Sequence, residues 1–253
     1  MVIVLPLYGQ QAANTGVDAN PGRPTVSTPA TLTPPGYLQF ETGGLGATHS
    51  PEFSSLLNLN EVLKLTLAPR IELIFSSVPV AHYRTGDRTS DRTGDYFVGA
   101  QGVLLKGNGA KPTLAVSYFR KVYDGGAAEL DIGSPRQSFL ILASADVKGF
   151  HYDTNFLANE MAQNGVRRAE FGQTLSISHP AGKRFSISGE LWHFTQPFLR
   201  GHAAGSLWAV GYTARSNLVL DAGFDRGLTT TSTRWQAFVG FTYLVPHRLW
   251  GQK

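Results

Sequence analysis

The seven histidines are the residues of this sequence with the widest chemical use, because imidazole serves both as a catalytic base and as a metal ligand. They lie far apart along the chain, and no pair combines metal-ligand spacing with nearby carboxylates. The sequence has no cysteine, which excludes disulfides and zinc-thiolate sites. We therefore predict no metal site. The histidines are His49, His82, His151, His179, His193, His202 and His247.

Motifs of the common enzyme classes are absent, including HExxH, Gly-x-Ser-x-Gly, the P-loop and a strand-linked dinucleotide fingerprint. Gly43-Gly44-Leu45-Gly46 lacks the further glycine of a nucleotide loop, and we interpret it as relief of crowding, or a bend, within a strand. We predict that the protein is not an enzyme and needs no cofactor. Sequence spacing still permits Ser-His chemistry on the outer wall of a membrane barrel.

A period of two in hydrophobicity dominates the chain from Tyr37 onward, as in half-buried strands. In segment 184–195, Leu191 lies on an apolar face and Glu190 on the opposite, polar one. No uncharged apolar run reaches the ~18 residues of a membrane helix. The pattern predicts an all-β fold, a transmembrane antiparallel up-and-down β-barrel of about twelve strands. The predicted strands are 37–48, 56–68, 71–82, 95–105, 112–123, 136–148, 149–160, 169–179, 184–195, 205–215, 217–227 and 234–245.

The connections between these segments alternate between short and long, which is typical of a barrel with short periplasmic turns and longer external loops. A sandwich or a propeller has no reason to sort its turns in this way. Because long connections outnumber short ones by one, both termini are predicted on the short-turn, periplasmic side. The long connections are 49–55, 83–94, 124–135, 161–167, 196–204 and 228–233, and the short ones are 68–70, 107–110, 148–149, 180–182 and 216–217.

The chain divides into a barrel, residues 37–245, and flanking segments of different composition. Residues 1–13 are either the remnant of a secretory signal peptide or a disordered tail. Residues 14–36 are rich in proline, which makes the segment extended and unsuited to a core strand. This segment is predicted to be a periplasmic lead-in or a plug-like strap. Residues 246–253 form a C-terminal tail.

Acidic and amide side chains recur on the polar face of the predicted strands. A charge near the middle of the lipid face costs roughly 2–4 kcal/mol for Arg or Lys and somewhat less for Asp or Glu, so these side chains are expected to face the lumen. They either line a pore that selects solutes or form an internal network that braces a narrow barrel. The predicted lumen residues are Glu41, Glu72, Gln101, Asp153, Asn155, Glu170, Glu190, Asp221 and Asp225.

Arginines concentrate in the predicted long loops, where lipopolysaccharide phosphates would lie, and guanidinium groups bind phosphate in a bidentate manner. The repeat of Thr-Gly-Asp-Arg type at 85–95 is expected to be a solvated loop tip, or else a weak contact for cations or lipopolysaccharide. The formal net charge is +4, but no basic stripe is interleaved with aromatic residues, so nucleic acid is not an expected partner. The candidate arginines are Arg84, Arg88, Arg92, Arg167, Arg168 and Arg200.

Several strand-and-turn motifs carry a resemblance to a known family. They are 23–29 and 34–41 near the start, then Phe171-Gly-Gln-Thr, Gly189-Glu-Leu-Trp192, Asp221-Ala-Gly-Phe-Asp-Arg-Gly227 and Gly240-Phe-Thr-Tyr243. With them the chain resembles the outer-membrane transporters labelled "MetA-pathway of phenol degradation". The resemblance implies an outer-membrane barrel for aromatic or other small organic molecules, with no substrate residues to carry over. The chain departs from the usual aromatic end of such barrels, because 246–253 follows the last strand.

These observations predict a channel in the outer membrane of a Gram-negative bacterium, passing small organic solutes through an acidic, polar lumen. Its expected partners are outer-membrane lipid, lipopolysaccharide, those solutes and the barrel-assembly machinery. The alternative is a structural or surface-interaction barrel with a filled lumen. A membrane-embedded hydrolase is the third hypothesis.

Overall fold

The structure, a computed structural model, describes residues 17–199 and 201–250. The predicted segment 1–13 and Arg200 lie outside the described residues. The strands are β1 (Leu38–Thr48), β2 (Ser55–Ala68), β3 (Ile71–Thr85), β4 (Arg88–Arg92), β5 (Tyr96–Leu105), β6 (Thr113–Tyr123), β7 (Gln137–Val147), β8 (Phe150–Gln163), β9 (Val166–Pro180), β10 (Phe185–Gln196), β11 (Gly201–Arg215), β12 (Leu218–Gly227) and β13 (Trp235–Leu244).

Twelve of these strands form a closed antiparallel barrel. Each pairs with its neighbours in the chain, β3 pairs with β5, and β1 pairs with β13, which closes the sheet. The remaining strand, β4, pairs only with Ala81–Thr85 at the end of β3, on the side of β3 where β5 pairs further along. Closure removes the unpaired edges that an open sheet would expose. The predicted all-β transmembrane barrel is therefore confirmed.

The pleat sorts apolar and polar side chains onto opposite sides of the wall. Leu191 is 60% exposed on the outside, whereas the adjacent Glu190 is 3% exposed on the inside. Trp208 and Val239 also lie on the outer surface, where a bilayer would cover them. No helix in the described residues is long and apolar enough to cross a membrane. The strands thus carry an apolar exterior around a polar interior, as a period of two requires.

The two ends of the barrel differ, although less regularly than the sequence predicts. The short-turn end carries the turns 69–70, 148–149 and 216–217, and the long-loop end carries, among others, the loop 124–136. The predicted long loop 161–167 is wrong, because β8 and β9 continue until only Asn164 and Gly165 separate them. Both residues have positive φ, as in a tight hairpin turn.

Other connections also differ from the predicted lengths. The predicted long loop 83–94 contains β4, and 106–112 is longer than a short turn because it carries the isolated bridge between Asn108 and Lys111.

The irregular alternation of apolar and polar residues within 56–68 has a local cause. The register between β2 and β3 shifts beyond Leu59, opposite Pro79, whose nitrogen has no hydrogen to donate to the ladder.

Candidate functional site: the barrel lumen

Residues 17–36, called the strap below, run inside the barrel. The strap enters at the short-turn end, where the Ala19 amide donates to the Ser216 carbonyl at 2.8 Å, and it returns to that end where the Gly36 amide donates to the Thr66 carbonyl at 2.8 Å. Between these points it hydrogen bonds to inward-facing side chains of the wall. The described part of the predicted segment 14–36 therefore lies against the inner wall of the barrel.

Glu190 is the wall residue that holds the middle of the strap. Its carboxylate accepts hydrogen bonds from the amides of Val26 and Ser27, each at 2.7 Å, and from the Ser27 hydroxyl at 2.6 Å. The Ser27 hydroxyl also lies 2.7 Å from that of Thr174. The carboxylate is therefore bonded by backbone amides and a hydroxyl group of the strap, through charge-assisted hydrogen bonds.

Three further predicted lumen residues bond to the other arm of the strap, again mainly through its backbone. Asn155 accepts from the Thr28 amide at 2.6 Å, and Gln101 donates to a strap carbonyl at 3.0 Å. Glu72 accepts from the Thr33 amide at 2.9 Å. The strap thus replaces the water that these side chains would otherwise bind.

Two ion pairs complete the attachment on the side of the barrel where it closes. Arg23 of the strap pairs with Asp221 at 3.1 Å. Glu41 pairs with Lys64 of the wall at 2.5 Å and accepts from the Gly22 amide at 3.1 Å. The sequence allows an internal charge network among the lumen residues, and these two ion pairs form such a network together with the strap.

Gly43 on β1 and Gly240 on β13 lie directly opposite each other in the sheet. A Cβ atom at either position would collide with the Arg23 guanidinium. The two glycines therefore clear the space in which Arg23 reaches Asp221. Gly44 and Gly46, in contrast, have open space where a Cβ would stand. Relief of crowding thus applies to one glycine of the Gly43–Gly46 run.

The last three predicted lumen residues bond to the wall itself. Glu170 accepts from the Asn159 amide nitrogen at 2.7 Å, and Asp225 accepts from the Trp192 indole at 2.7 Å. Asp153, half-buried, accepts from the Ser144 hydroxyl at 2.5 Å. All nine predicted residues are inward in the barrel, and the other eight are buried.

Sequence reasoning missed the partners of these side chains. No feature of the sequence identifies Lys64, Thr174 or the strap amides as these partners. A proline-rich segment has no pattern that predicts which wall residue each of its groups contacts. The one available sign was the number of Thr and Ser residues among the prolines, because hydroxyl groups favour a polar lumen over an apolar core.

A second segment, the loop 124–136, folds into the lumen from the long-loop end. Its Asp131 accepts from the Thr233 amide at 2.6 Å and from the Gln236 side chain at 3.1 Å. Leu130 packs against the small cluster that contains Phe53. The sequence predicted this segment as an external loop, and its inward position was not foreseen.

The carboxyl groups in and beside this loop are buried, and burial disfavours their ionised forms. Burial, followed by the charge of Glu52, raises the pKa of Glu129 to about 7, and Lys121 opposes the shift. Burial also raises the pKa of Asp131 and of Glu52. Because the charged forms are penalised when the loop is packed inward, ionisation works against the inward position.

A partly open cavity of about 210 Å³, called the chamber below, separates the strap from the loop. Another cavity, of about 310 Å³, lies between the loop and the wall near Asn58 and Ser77. The strap and the loop therefore leave cavities inside the lumen, which is not packed to the density of a protein core. The chamber is lined by Arg23, Pro24, Thr25, Val26, Leu45, Leu130, Asp131, Ile132, Trp192, Phe194, Leu207, Asp225, Gln236 and Phe238.

Histidine and carboxylate groups do meet at two places near the barrel ends. His151 contacts Asp146 at 2.7 Å with one ring nitrogen and Asp153 at 3.1 Å with the other, so it keeps no nitrogen for a serine. His82 pairs with Asp91 at 2.6 Å on the exposed β3–β4 hairpin. No cluster of three or more metal-ligating side chains occurs within the residues that the structure describes.

The candidate arginines within the described residues lie at the long-loop end of the barrel. Arg84, Arg88 and Arg92 are exposed on the β3–β4 hairpin. Arg167 pairs with Glu160 at 3.3 Å. Arg168, also exposed, donates to the Pro197 carbonyl at 2.6 Å and lies over the Phe198 ring.

Comparison with known proteins gives a likeness in structure alone. No protein-family model and no curated protein matches the sequence. Among solved structures, an outer membrane channel from Pseudomonas putida F1 matches with a TM-score of 0.62 and 13% identity, over 90% of this chain and 100% of that one. The NanC porin matches with a TM-score of 0.58 and 9% identity, over 81% of this chain and 98% of that one. At such identities the likeness establishes the barrel fold.

Proposed function

We propose that this protein is a passive outer-membrane channel for small organic solutes, aromatic ones among them. The observation that carries the proposal is the way the lumen is closed. The strap and the loop 124–136 are held by reversible hydrogen bonds and ion pairs around cavities of about 210 and 310 Å³. A lumen evolved only as a brace would be packed with wall side chains, as in narrow barrels.

The similarity to an outer membrane channel and to a porin supports a transport role. The solute class is suggested by the family resemblance described above. In this proposal both termini lie in the periplasm, so the strap closes the periplasmic side and the loop 124–136 the external side. The exposed arginines Arg84, Arg88 and Arg92 then face lipopolysaccharide phosphates.

A reversible lock on the strap tests the channel. Ser27→Cys combined with Thr174→Cys replaces two hydroxyls 2.7 Å apart in a chain that has no other cysteine. In a liposome-swelling assay the oxidised double variant should pass erythritol more slowly than the reduced one, and each single variant should not respond to oxidant. Flux that is measurable and the same in both redox states would contradict strap movement.

The second candidate is a structural or surface-interaction barrel, and the strap itself favours it because it crosses the lumen. This candidate predicts that the wild-type protein and the reduced double variant insert stably yet pass no erythritol. Planar-bilayer conductance of the same samples measures the ion pathway independently. Stable insertion with no flux in either assay would replace the channel by this second function.

The lipopolysaccharide contact has its own test. Replacing Arg84, Arg88 and Arg92 together by Gln should weaken association with lipopolysaccharide at low salt, where such contacts are strongest, and leave heat-modifiable gel mobility unchanged. Arg120 changed to Gln serves as the control because it lies on a barrel strand outside this hairpin. Equal binding by the triple variant and the wild type would remove the contact from the proposal.

A further inference from the structure

The chamber between the strap and the loop 124–136 combines an apolar lining with a few acidic groups. Its walls include the aromatic rings of Trp192, Phe194 and Phe238 together with Leu45 and Leu207. A lining of this kind binds small organic molecules through apolar contact, while a few polar groups fix their orientation. At about 210 Å³ the chamber exceeds the roughly 150 Å³ that suffices to bind benzene, so it holds one ring with a short substituent.

Asp225 supplies the polar group that the chamber leaves incomplete. The residue is 3% exposed, and its Oδ2 accepts from the Trp192 indole at 2.7 Å. Its Oδ1 is fully buried and has no hydrogen-bond partner among the described residues. A buried carboxylate oxygen without a donor is costly and uncommon. Asp225 thus gives the lining of the chamber a carboxylate with an unused acceptor oxygen, and a ligand that donates a hydrogen bond reaches this oxygen once the side chains covering it shift.

The charges in the lining favour a cation. Asp131 is the second carboxylate of the chamber, whereas the single guanidinium, that of Arg23, is engaged by Asp221, which is not part of the lining. Asp225 and Asp131 therefore remain without a cationic partner in the chamber. Trp192 and Phe238 also line the chamber and add to this preference, because aromatic rings attract ammonium groups.

We propose that the chamber is a binding site for a small organic ammonium ion built on one ring, with the ammonium group bonded to Asp225 and the ring against the aromatic wall. This inference deepens the proposed channel function, since it names the solute class that pauses between the two closures. A solute must leave as readily as it enters, so a weak, reversible site suits a channel.

Benzylamine is the probe, and isothermal titration calorimetry on the purified full-length protein is the measurement. Benzyl alcohol and benzoate have the same ring with a neutral and an anionic substituent. We expect one site per chain, with benzylamine bound more tightly than benzyl alcohol and no binding of benzoate. Asp225→Asn should weaken benzylamine binding about tenfold to a hundredfold, the loss expected for a charge-assisted hydrogen bond.

Two further variants keep the test decisive. Glu170→Gln changes an equally buried carboxylate that lies outside the chamber and should keep the benzylamine affinity. Leu45→Trp should fill the chamber without altering a charge and abolish binding, which provides an answer even if Asp225→Asn does not fold. Benzylamine binding no tighter than that of benzyl alcohol, or unchanged in Leu45→Trp, would overturn the site.

The site and the channel fail in different assays. Swelling by erythritol reports the pathway without using the ammonium site. Erythritol flux with no benzylamine binding would end the site and leave the channel, whereas binding without any flux would end the channel and leave the site.

Discussion

The lumen of this barrel is closed twice, and the two closures use different chemistry. The strap is attached through its backbone and through Arg23 to at least six inward-facing wall residues, mostly carboxylates and amides. The loop 124–136 is held by Asp131, by the contact between Glu129 and Glu52, and by apolar packing of Leu130 and Ile132. Near its ends it also bonds to Asp95, Lys121 and Tyr83.

The difference shows how one lumen can hold a firm and a loose barrier. Each strap bond satisfies a buried wall group that would otherwise be left without a partner, so movement of the strap costs several such groups together. Fewer wall groups lose a hydrogen bond when the loop leaves the lumen, and the loop carries carboxyl groups whose charged forms are penalised in the inward position. We therefore expect the loop to open more often than the strap.

The largest expected effect comes from Arg23→Met in the strap. Removing one partner of a buried ion pair costs about 3–5 kcal/mol. In this variant Asp221 loses its cation, so the strap is bound less tightly to the wall. Planar-bilayer conductance should rise, and proteinase K should cleave the strap while the barrel keeps its heat-modifiable mobility.

The double variant Arg23→Met with Asp221→Asn is the matched control. Without the uncompensated carboxylate, the strap should recover part of its protection. A single variant as protected as the wild type would show that the pair does not hold the strap, and the two closures would then be of similar strength.

A smaller effect is expected from Glu190→Gln. The amide offers one acceptor atom in place of two carboxylate oxygens, so either Val26 or Ser27 loses the acceptor of its backbone donor, at about 1–3 kcal/mol. Strap exchange with deuterated solvent should accelerate at 26–28. Glu170→Gln, which touches no strap residue, should leave exchange there unaltered, and equal rates in both variants would contradict the role of Glu190.

In the loop, Asp131→Asn should have a more modest effect. One oxygen remains for the Thr233 amide, while the bond from Gln236 is lost or reversed, at about 0.5–1.5 kcal/mol. The number of brief openings in single-channel records should increase, with strap cleavage unaffected. Faster strap cleavage in this variant would show that the two closures move as one unit.

The remaining effect concerns pH. Because the pKa of Glu129 is raised from its ordinary value of 4.5 to about 7 in the inward loop, the closed loop binds a proton more tightly than the open one. Closure is therefore fully favoured below about pH 4.5, weakens between about pH 4.5 and 7, and changes little above that. Conductance openings should become more frequent between pH 5 and 8.

Glu129→Gln should flatten the dependence of conductance openings on pH. Proteinase K should cleave the strap at the same rate at pH 5 and at pH 8. The surrounding charges that act on Glu129 are Glu52, Asp95 and Lys121. A dependence on pH that persists in Glu129→Gln would move the effect to Glu52 or Asp131, whose pKa values burial also raises.

The strands were predictable because one local rule fixes them. Alternation places Leu191 outside and Glu190 inside regardless of what fills the lumen, and most boundaries agree with the structure to within a few residues. Connection lengths were less predictable, since Asn164-Gly165 closes a hairpin only because the flanking strands extend further than their hydrophobic pattern.

The inward side chains could be predicted as a set but not with their partners. A buried Glu190 needs donors, yet the sequence does not say whether water, a cation or the amides of Val26 and Ser27 supply them. The inward course of 124–136 had no periodic signal, because a loop packed through Asp131 and Leu130 resembles any external loop in composition.

The position of Arg23 also has a consequence for the order of assembly. The guanidinium rests on Gly43 of the first strand and Gly240 of the last, and it pairs with Asp221 on the strand before the last. Its binding place does not exist until the seam between the first and last strands has closed. The earliest part of the described chain must therefore wait for the latest strands, so correct docking of Arg23 reports that the barrel is complete.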